Sequence, residues 1–139
     1  MVSTQNHQLN VLIVDDSPIV AERLLKLLVE INDVSVAGTA LDIGTSLRLI
    51  KETQPNVVIL DINLNDAKFN GTDLLGMLRK TYPDMIIIMF TNLTSTQYIK
   101  KCHDLGANYF LDKSNEFEKI PKILSRIIGF RKSEIVSGI

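Results

Sequence analysis

The strongest constraint on this chain is a set of short apolar runs that leave no polar face for water. Residues 85–90 read MIIIMF, residues 56–60 NVVIL and residues 9–14 LNVLIV. A half-exposed strand alternates apolar and polar side chains, whereas an unbroken run suits a strand covered on both faces, as in a parallel sheet. Two weaker runs, VSVAG at 34–38 and NYFL at 108–111, complete the series. Between the runs, apolar residues recur at helical spacing. The stripes are Leu24, Leu27, Leu28 and Ile31; Ile43, Leu47 and Ile50; Leu74, Leu75 and Leu78; Tyr98, Cys102 and Leu105; and Ile120, Ile123, Leu124, Ile127 and Ile128. Strand followed by helix, five times over, predicts an α/β architecture: a parallel sheet with helices on both faces.

Punctuation supports the same division. Ser17-Pro18 reads as an N-cap followed by proline at the first helical position. QPN and YPD break the helical pattern ahead of the third and fourth strands, and LGAN supplies a glycine stop ahead of the fifth. A chain of 139 residues is long enough for one domain with a real core. Residues 1–8 read as a polar tail, 9–129 as the domain, and 130–139 as a C-terminal tail or linker stub. The formal charge of -1 gives no nucleic-acid or membrane footprint. Cys102, the single cysteine, excludes an internal disulfide and suits a reducing compartment. The start lacks a basic, apolar leader, so a cytoplasmic protein without membrane insertion is expected.

In open α/β sheets, ligands gather beyond the carboxyl ends of the strands. Here those ends carry Asp15-Asp16, Asp61, Thr91 and Lys113. Two like charges about 4 Å apart repel by roughly 4 kcal/mol at an effective dielectric of 20, so clustered carboxylates call for a cation. Oxygen ligands without histidine or cysteine select Mg²⁺, or alternatively Mn²⁺. A lysine facing Asp61 would neutralise it and later hold a phosphoryl oxygen, and Thr91 offers a hydroxyl donor. No P-loop is present, which leaves a carboxylate nucleophile and an aspartyl phosphate.

The motifs VLIVDDS, VVILDINL, IIIMFTN and YFLDKS resemble, in order and spacing, those of receiver domains of two-component response regulators, over about residues 9 to 129. The resemblance implies a flavodoxin-like (βα)5 fold with strand order 2-1-3-4-5. It implies that Asp61 is the phosphoacceptor, supplied by a sensor histidine kinase or histidine phosphotransfer protein. Asp16 and Asp61 would bind Mg²⁺ with the backbone carbonyl of Asn63, and Asp15 would act through a metal-bound water. Thr91 and Lys113 would contact phosphoryl oxygens, and Phe110 would be the switch aromatic coupled to Thr91. The implied output face is the fourth helix, fifth strand and fifth helix, residues 94 to 129, serving an effector protein or a weak dimer of an otherwise monomeric chain. Such a chain is a switch that assists its own phosphorylation and dephosphorylation, not an enzyme.

Several positions depart from the family pattern. Asn65 replaces a common proline, and glycine arrives only at Gly71, so the loop from 62 to 70 is expected to be longer and more mobile. Ser114 replaces the proline that usually follows the lysine; a cis bond there would cost about 2.5–4 kcal/mol, so trans is expected. Asn92 stands where alanine is common and is expected to slow loss of the phosphoryl group. Three alternatives compete: a degenerate receiver that only binds, a haloacid-dehalogenase-type phosphatase, and a flavin-binding protein. The second lacks D-x-D-x-[TV] after the first strand, and in the third Asp15 and Asp16 would repel the flavin phosphate.

Overall fold

The structure, a computed structural model, describes residues 8–137. Five strands, β1 (Leu9–Val14), β2 (Val34–Ala40), β3 (Val57–Leu60), β4 (Ile86–Thr91) and β5 (Tyr109–Asp112), form one sheet in the order β2-β1-β3-β4-β5. Every neighbouring pair is parallel. The helices are α1 (Pro18–Val29), α2 (Ile43–Thr53), α3 (Gly71–Thr81), α4 (Thr96–Asp104) and α5 (Lys119–Ser137). This is the flavodoxin-like fold with the strand order that the resemblance implied.

Strand periodicity explains why the central runs are apolar throughout. Val11 and Ile13 enter a core shared with Leu24 and Leu28 of α1 and Leu124 of α5. Leu12 and Val14 enter a second core with Ile50 of α2, Leu74 and Leu78 of α3 and Cys102 of α4. Successive side chains point to opposite faces, and both faces are covered, so Val11 to Val14 offer no exposed position for a polar group. The edge strand β2 is only partly buried, which matches its weaker apolar signal.

The starts of α1 to α4 each have a side-chain acceptor that meets otherwise unpaired N–H groups. Ser17 Oγ accepts from Val20 N at 3.3 Å, with Pro18 at the first turn. Asp42 Oδ1 accepts from Thr45 N at 2.7 Å. Asn70 and Asp73 close a reciprocal capping box on α3. The helix α5 continues to Ser137, through most of the segment from residue 130 that the sequence reading took as a C-terminal tail or linker stub. There Lys132 Nζ pairs with Asp33 Oδ2 at 2.9 Å, which ties the extension to the turn before β2. Residues 1–7 and 138–139, which hold most of the polar tail and the end of the stub, lie outside the described residues.

At the N-terminal edge of the sheet, Arg79 of α3 joins three segments. Its Nε and Nη2 donate to Gly106 O, its Nη1 to Met85 O and Pro83 O, and its Nη2 also to Asn108 Oδ1. Gly106 has φ +98 and a Cβ there would lie 2.8 Å from Arg79 Cγ, so glycine is required on both counts.

The loop after β3 leaves at Ile62 and returns at Gly71, whose N–H donates to Ile62 O at 2.7 Å. In between, Asp66 Oδ1 accepts from Lys68 N and Phe69 N, and Asn65 N donates to Leu41 O. The longer loop is thus tied along its path, with Leu64 buried. A Cβ on Gly71 would lie 2.0 Å from the backbone oxygen of Asp61. Backbone cannot yield as a flexible side chain can, and overpacking of this kind costs typically about 1–3 kcal/mol. Gly71→Ala should therefore lower stability by about 2 kcal/mol, read as a lower urea midpoint with unchanged slope.

Candidate functional site

The sheet continues one residue beyond three of its strands. Asp15 N donates to Ala40 O, Asp61 N to Val14 O and Lys113 N to Thr91 O, each at 2.9 Å. Asp15, Asp61 and Lys113 are therefore positioned by backbone ladders, not by free loops. Their side chains meet at the carboxyl edge. Lys113 Nζ lies 2.7 Å from Asp15 Oδ2 and 2.7 Å from Asp61 Oδ2. Asp15 is 2% exposed and Asp61 4%, while Asp16 stands exposed beside them. Ligand oxygens of all three aspartates lie within 4.8 Å of one another.

The remaining partners fix orientation. Asp15 Oδ1 accepts from Ser17 N at 2.8 Å, so the turn into α1 also aims this carboxylate. Asp61 Oδ1 accepts from Asn63 N at 3.3 Å. Asp16, Asp61, Asn63, Asn92 and Lys113 line a concavity of about 330 Å³ with Ser17, Val20 and Leu64. Thr91 is fully buried at the end of β4, and its Oγ1 accepts from Leu93 N at 3.2 Å. Phe110 pairs in register with Met89, two residues before Thr91, and packs partly buried against the core beneath α2, α3 and α4. Tyr109 packs against the opposite core, as strand alternation requires. The Lys113–Ser114 bond is trans.

Burial pushes the Asp15 carboxyl above its ordinary value; hydrogen bonds from Lys113 and Ser17 N pull it down, and the Asp61 charge adds to the rise. At Lys113 burial favours the neutral amine, but the hydrogen bonds and charges of Asp15 and Asp61 outweigh it and raise the ammonium. The two directions agree physically. One ammonium is divided between two carboxylates, so the lysine is doubly stabilised and each acid only partly. Three carboxylates against one ammonium leave two formal negative charges, the charge of one divalent cation. The donors are all oxygen, two of the acids are pre-positioned, and the third reaches solvent. This arrangement fits a hard divalent ion such as Mg²⁺.

Sequence reasoning gathered Asp15, Asp16, Asp61 and Lys113 correctly at one edge. It missed that Lys113 bridges both buried acids, and it missed the hydrogen bond between Ser114 Oγ and Asn92 Oδ1 at 2.8 Å. Both positions stood out only as departures from a pattern, and side-chain reach between loops leaves no periodic signal.

A model of the response regulator receiver domain matches residues 11–125. The chain belongs to this receiver family. The DNA-binding transcriptional activator EvgA of Escherichia coli K12 is 30% identical over 112 residues, covering 81% of this chain and 53% of EvgA. This receiver spans about half the length of the curated relatives it matches. Among solved structures, the response regulator domain of Thermotoga maritima CheB gives a TM-score of 0.75 at 25% identity, covering 89% of this chain and 96% of that one. The isolated REC domain of RcsB from Salmonella enterica serovar Typhimurium, solved with the phosphomimetic BeF3-, also gives 0.75 at 25% identity, covering 86% and 84% respectively. Family membership displaces the dehalogenase-type and flavin-binding alternatives. No helix among the described residues is long and apolar enough to cross a membrane.

The pH dependence of stability has a definite sign. Because the folded Asp15 pKa is raised above 3.8, its contribution is complete below that value and is lost as pH rises through the folded value. At neutral pH the buried carboxylate therefore weakens the fold. In metal-free buffer, Asp15→Asn should be more stable than wild type at pH near 7, because the amide buries no charge. The gap should close as the medium is acidified toward pH 3.8, measured by urea denaturation at stepped pH.

Proposed function

We propose that this receiver is switched by phosphorylation of Asp61. The observation that carries the reading is a nearly buried carboxylate that shares one ammonium with a second acid and yet lines an open concavity. A carboxylate oxygen of Asp61 would attack the phosphorus of a phosphohistidine. The P–N bond breaks, the imidazole leaves and takes up a proton, and Asp61 becomes an acyl phosphate. The donor is a sensor histidine kinase or a histidine phosphotransfer protein. Asp15, Asp16, Asp61 and the backbone carbonyl of Asn63 would hold Mg²⁺, with Asp15 acting through water. When bound, the ion neutralises the acids and polarises phosphoryl oxygens.

The chain's own groups supply the rest. Lys113, held charged by two acids, can keep its bond to Asp15 while turning its other contact from Asp61 to a phosphoryl oxygen. Thr91 uses its oxygen to accept from Leu93 N, which leaves its hydroxyl proton to donate to the phosphoryl group. A shift of the Thr91 side chain toward the phosphoryl group would strain its tie to Leu93 N in the loop after β4, and Phe110, on the same sheet face two rungs below, would respond. The output is the face formed by α4, β5 and α5, serving an effector protein or a weak dimer. The chain acts as a switch, not a turnover enzyme, in the cytoplasmic setting expected from the sequence, with no nucleic-acid contact of its own. The phosphomimetic used with the RcsB REC domain supports a phosphoryl state for a fold of this kind.

Incubation with phosphoramidate and Mg²⁺, followed by intact mass, should add one phosphoryl group to wild type and none to Asp61→Asn. Omission of Mg²⁺ should slow the gain strongly. Failure of wild type to gain mass would leave a binding module in place of a phosphorylated switch. Mg²⁺ should also raise the melting temperature of wild type, and Asp16→Asn should require about tenfold more ion for the same shift, the equivalent of 1.4 kcal/mol.

A further inference from the structure

We infer that Ser114 and Asn92 form a clasp across the phosphoacceptor concavity, in which Ser114 positions the Asn92 amide to hold the phosphoryl group and slow its hydrolysis. The inference rests on the reading of Asp61 as phosphoacceptor. Two independent loops contribute, one after β4 and one after β5, and Ser114 Oγ donates to Asn92 Oδ1 at 2.8 Å between them.

Both sides of the clasp are fixed. Lys113 N donates to Thr91 O at 2.9 Å, which holds the residues immediately preceding the pair at one level. Asp112 organises the turn beyond: its Oδ1 accepts from Ser114 N, its Oδ2 from Asn115 Nδ2, and its own N–H donates to Glu116 Oε1. Ser114 is therefore aimed by its loop, and its hydroxyl determines which way the Asn92 amide faces. Asn92 lines the same concavity as Asp61 and Lys113. With Oδ1 occupied by the hydroxyl, the Nδ2 donors have no protein acceptor among the described residues. An anionic phosphoryl group on Asp61 supplies one.

Hydrolysis needs a water whose oxygen attacks phosphorus as the P–O bond to Asp61 breaks. The Asp61 carboxylate is regenerated, and inorganic phosphate and a proton leave. An amide donor held in the concavity both stabilises the acyl phosphate and occupies space through which that water would approach. Losing the clasp should shorten the phosphoryl lifetime by roughly three- to tenfold, the ratio expected for one hydrogen bond.

The test uses the full chain loaded with phosphoramidate and Mg²⁺, freed of donor, and followed by intact mass over time. Ser114→Ala and Asn92→Ala should shorten the lifetime alike, and the double variant should be no shorter-lived than either. Ser114→Thr, which keeps the hydroxyl, should stay within about twofold of wild type, less than one hydrogen bond's worth. Both side chains are exposed, so melting temperatures should not move. A Ser114→Ala lifetime equal to wild type, or a double variant whose losses multiply, overturns the clasp while leaving phosphorylation of Asp61 intact. A wild type that gains no phosphoryl group overturns the phosphoacceptor reading and the clasp with it.

Discussion

The site is organised by one ammonium shared between two buried carboxylates. Without Lys113, Asp15 and Asp61 would face each other at a low-dielectric edge as two like charges with no cation between them. With it, each buried acid has a cationic partner, and three aspartates against one ammonium still leave room for more positive charge. Buried ion pairs are weak contributors to stability because desolvation offsets attraction. Here the pairing is better understood as a way to hold two acids aimed at one point and only partly neutralised.

The sheet makes this arrangement possible. Parallel strands place all their carboxyl ends on one side, and the backbone ladder continues one residue past Val14 and Leu60. Asp15 and Asp61 thus inherit the rigidity of strands that are buried on both faces. The close approach of Gly71 to the Asp61 carbonyl continues that rigidity into α3, and the capping box of Asn70 and Asp73 fixes where the helix begins. The loop between is longer than the family pattern, but its ties at Asp66, Asn65 and Leu64 let it pass beside the concavity without closing it.

Much of this was legible in the sequence because it is periodic. Runs such as MIIIMF can only satisfy two covered faces, and the stripes through Leu24 and Leu28 or Leu74 and Leu78 leave little choice of helix face. The site residues were legible because topology alone delivers strand ends to one edge. Boundaries were harder: β4 includes Thr91, β2 reaches Ala40, and α5 runs well past Gly129. Contacts between loops were not readable at all. Ser114 with Asn92, Lys113 with Asp15 and Arg79 with Gly106 depend on side-chain reach across segments far apart in the chain. No spacing rule encodes such distances.

The two ends of the sheet are finished in opposite ways. At the amino edge, the side-chain oxygens of Asn56 and Asn108 accept from Asn10 N and Ile87 N, and the Arg79 fork fills the carbonyls left by neighbouring turns. At the carboxyl edge, charge is left in excess. A fold whose amino pole is closed by paired polar groups can hold unbalanced charge at its other pole. A change of charge at that rim would act on its loops, while the strand starts stay held by their own hydrogen bonds.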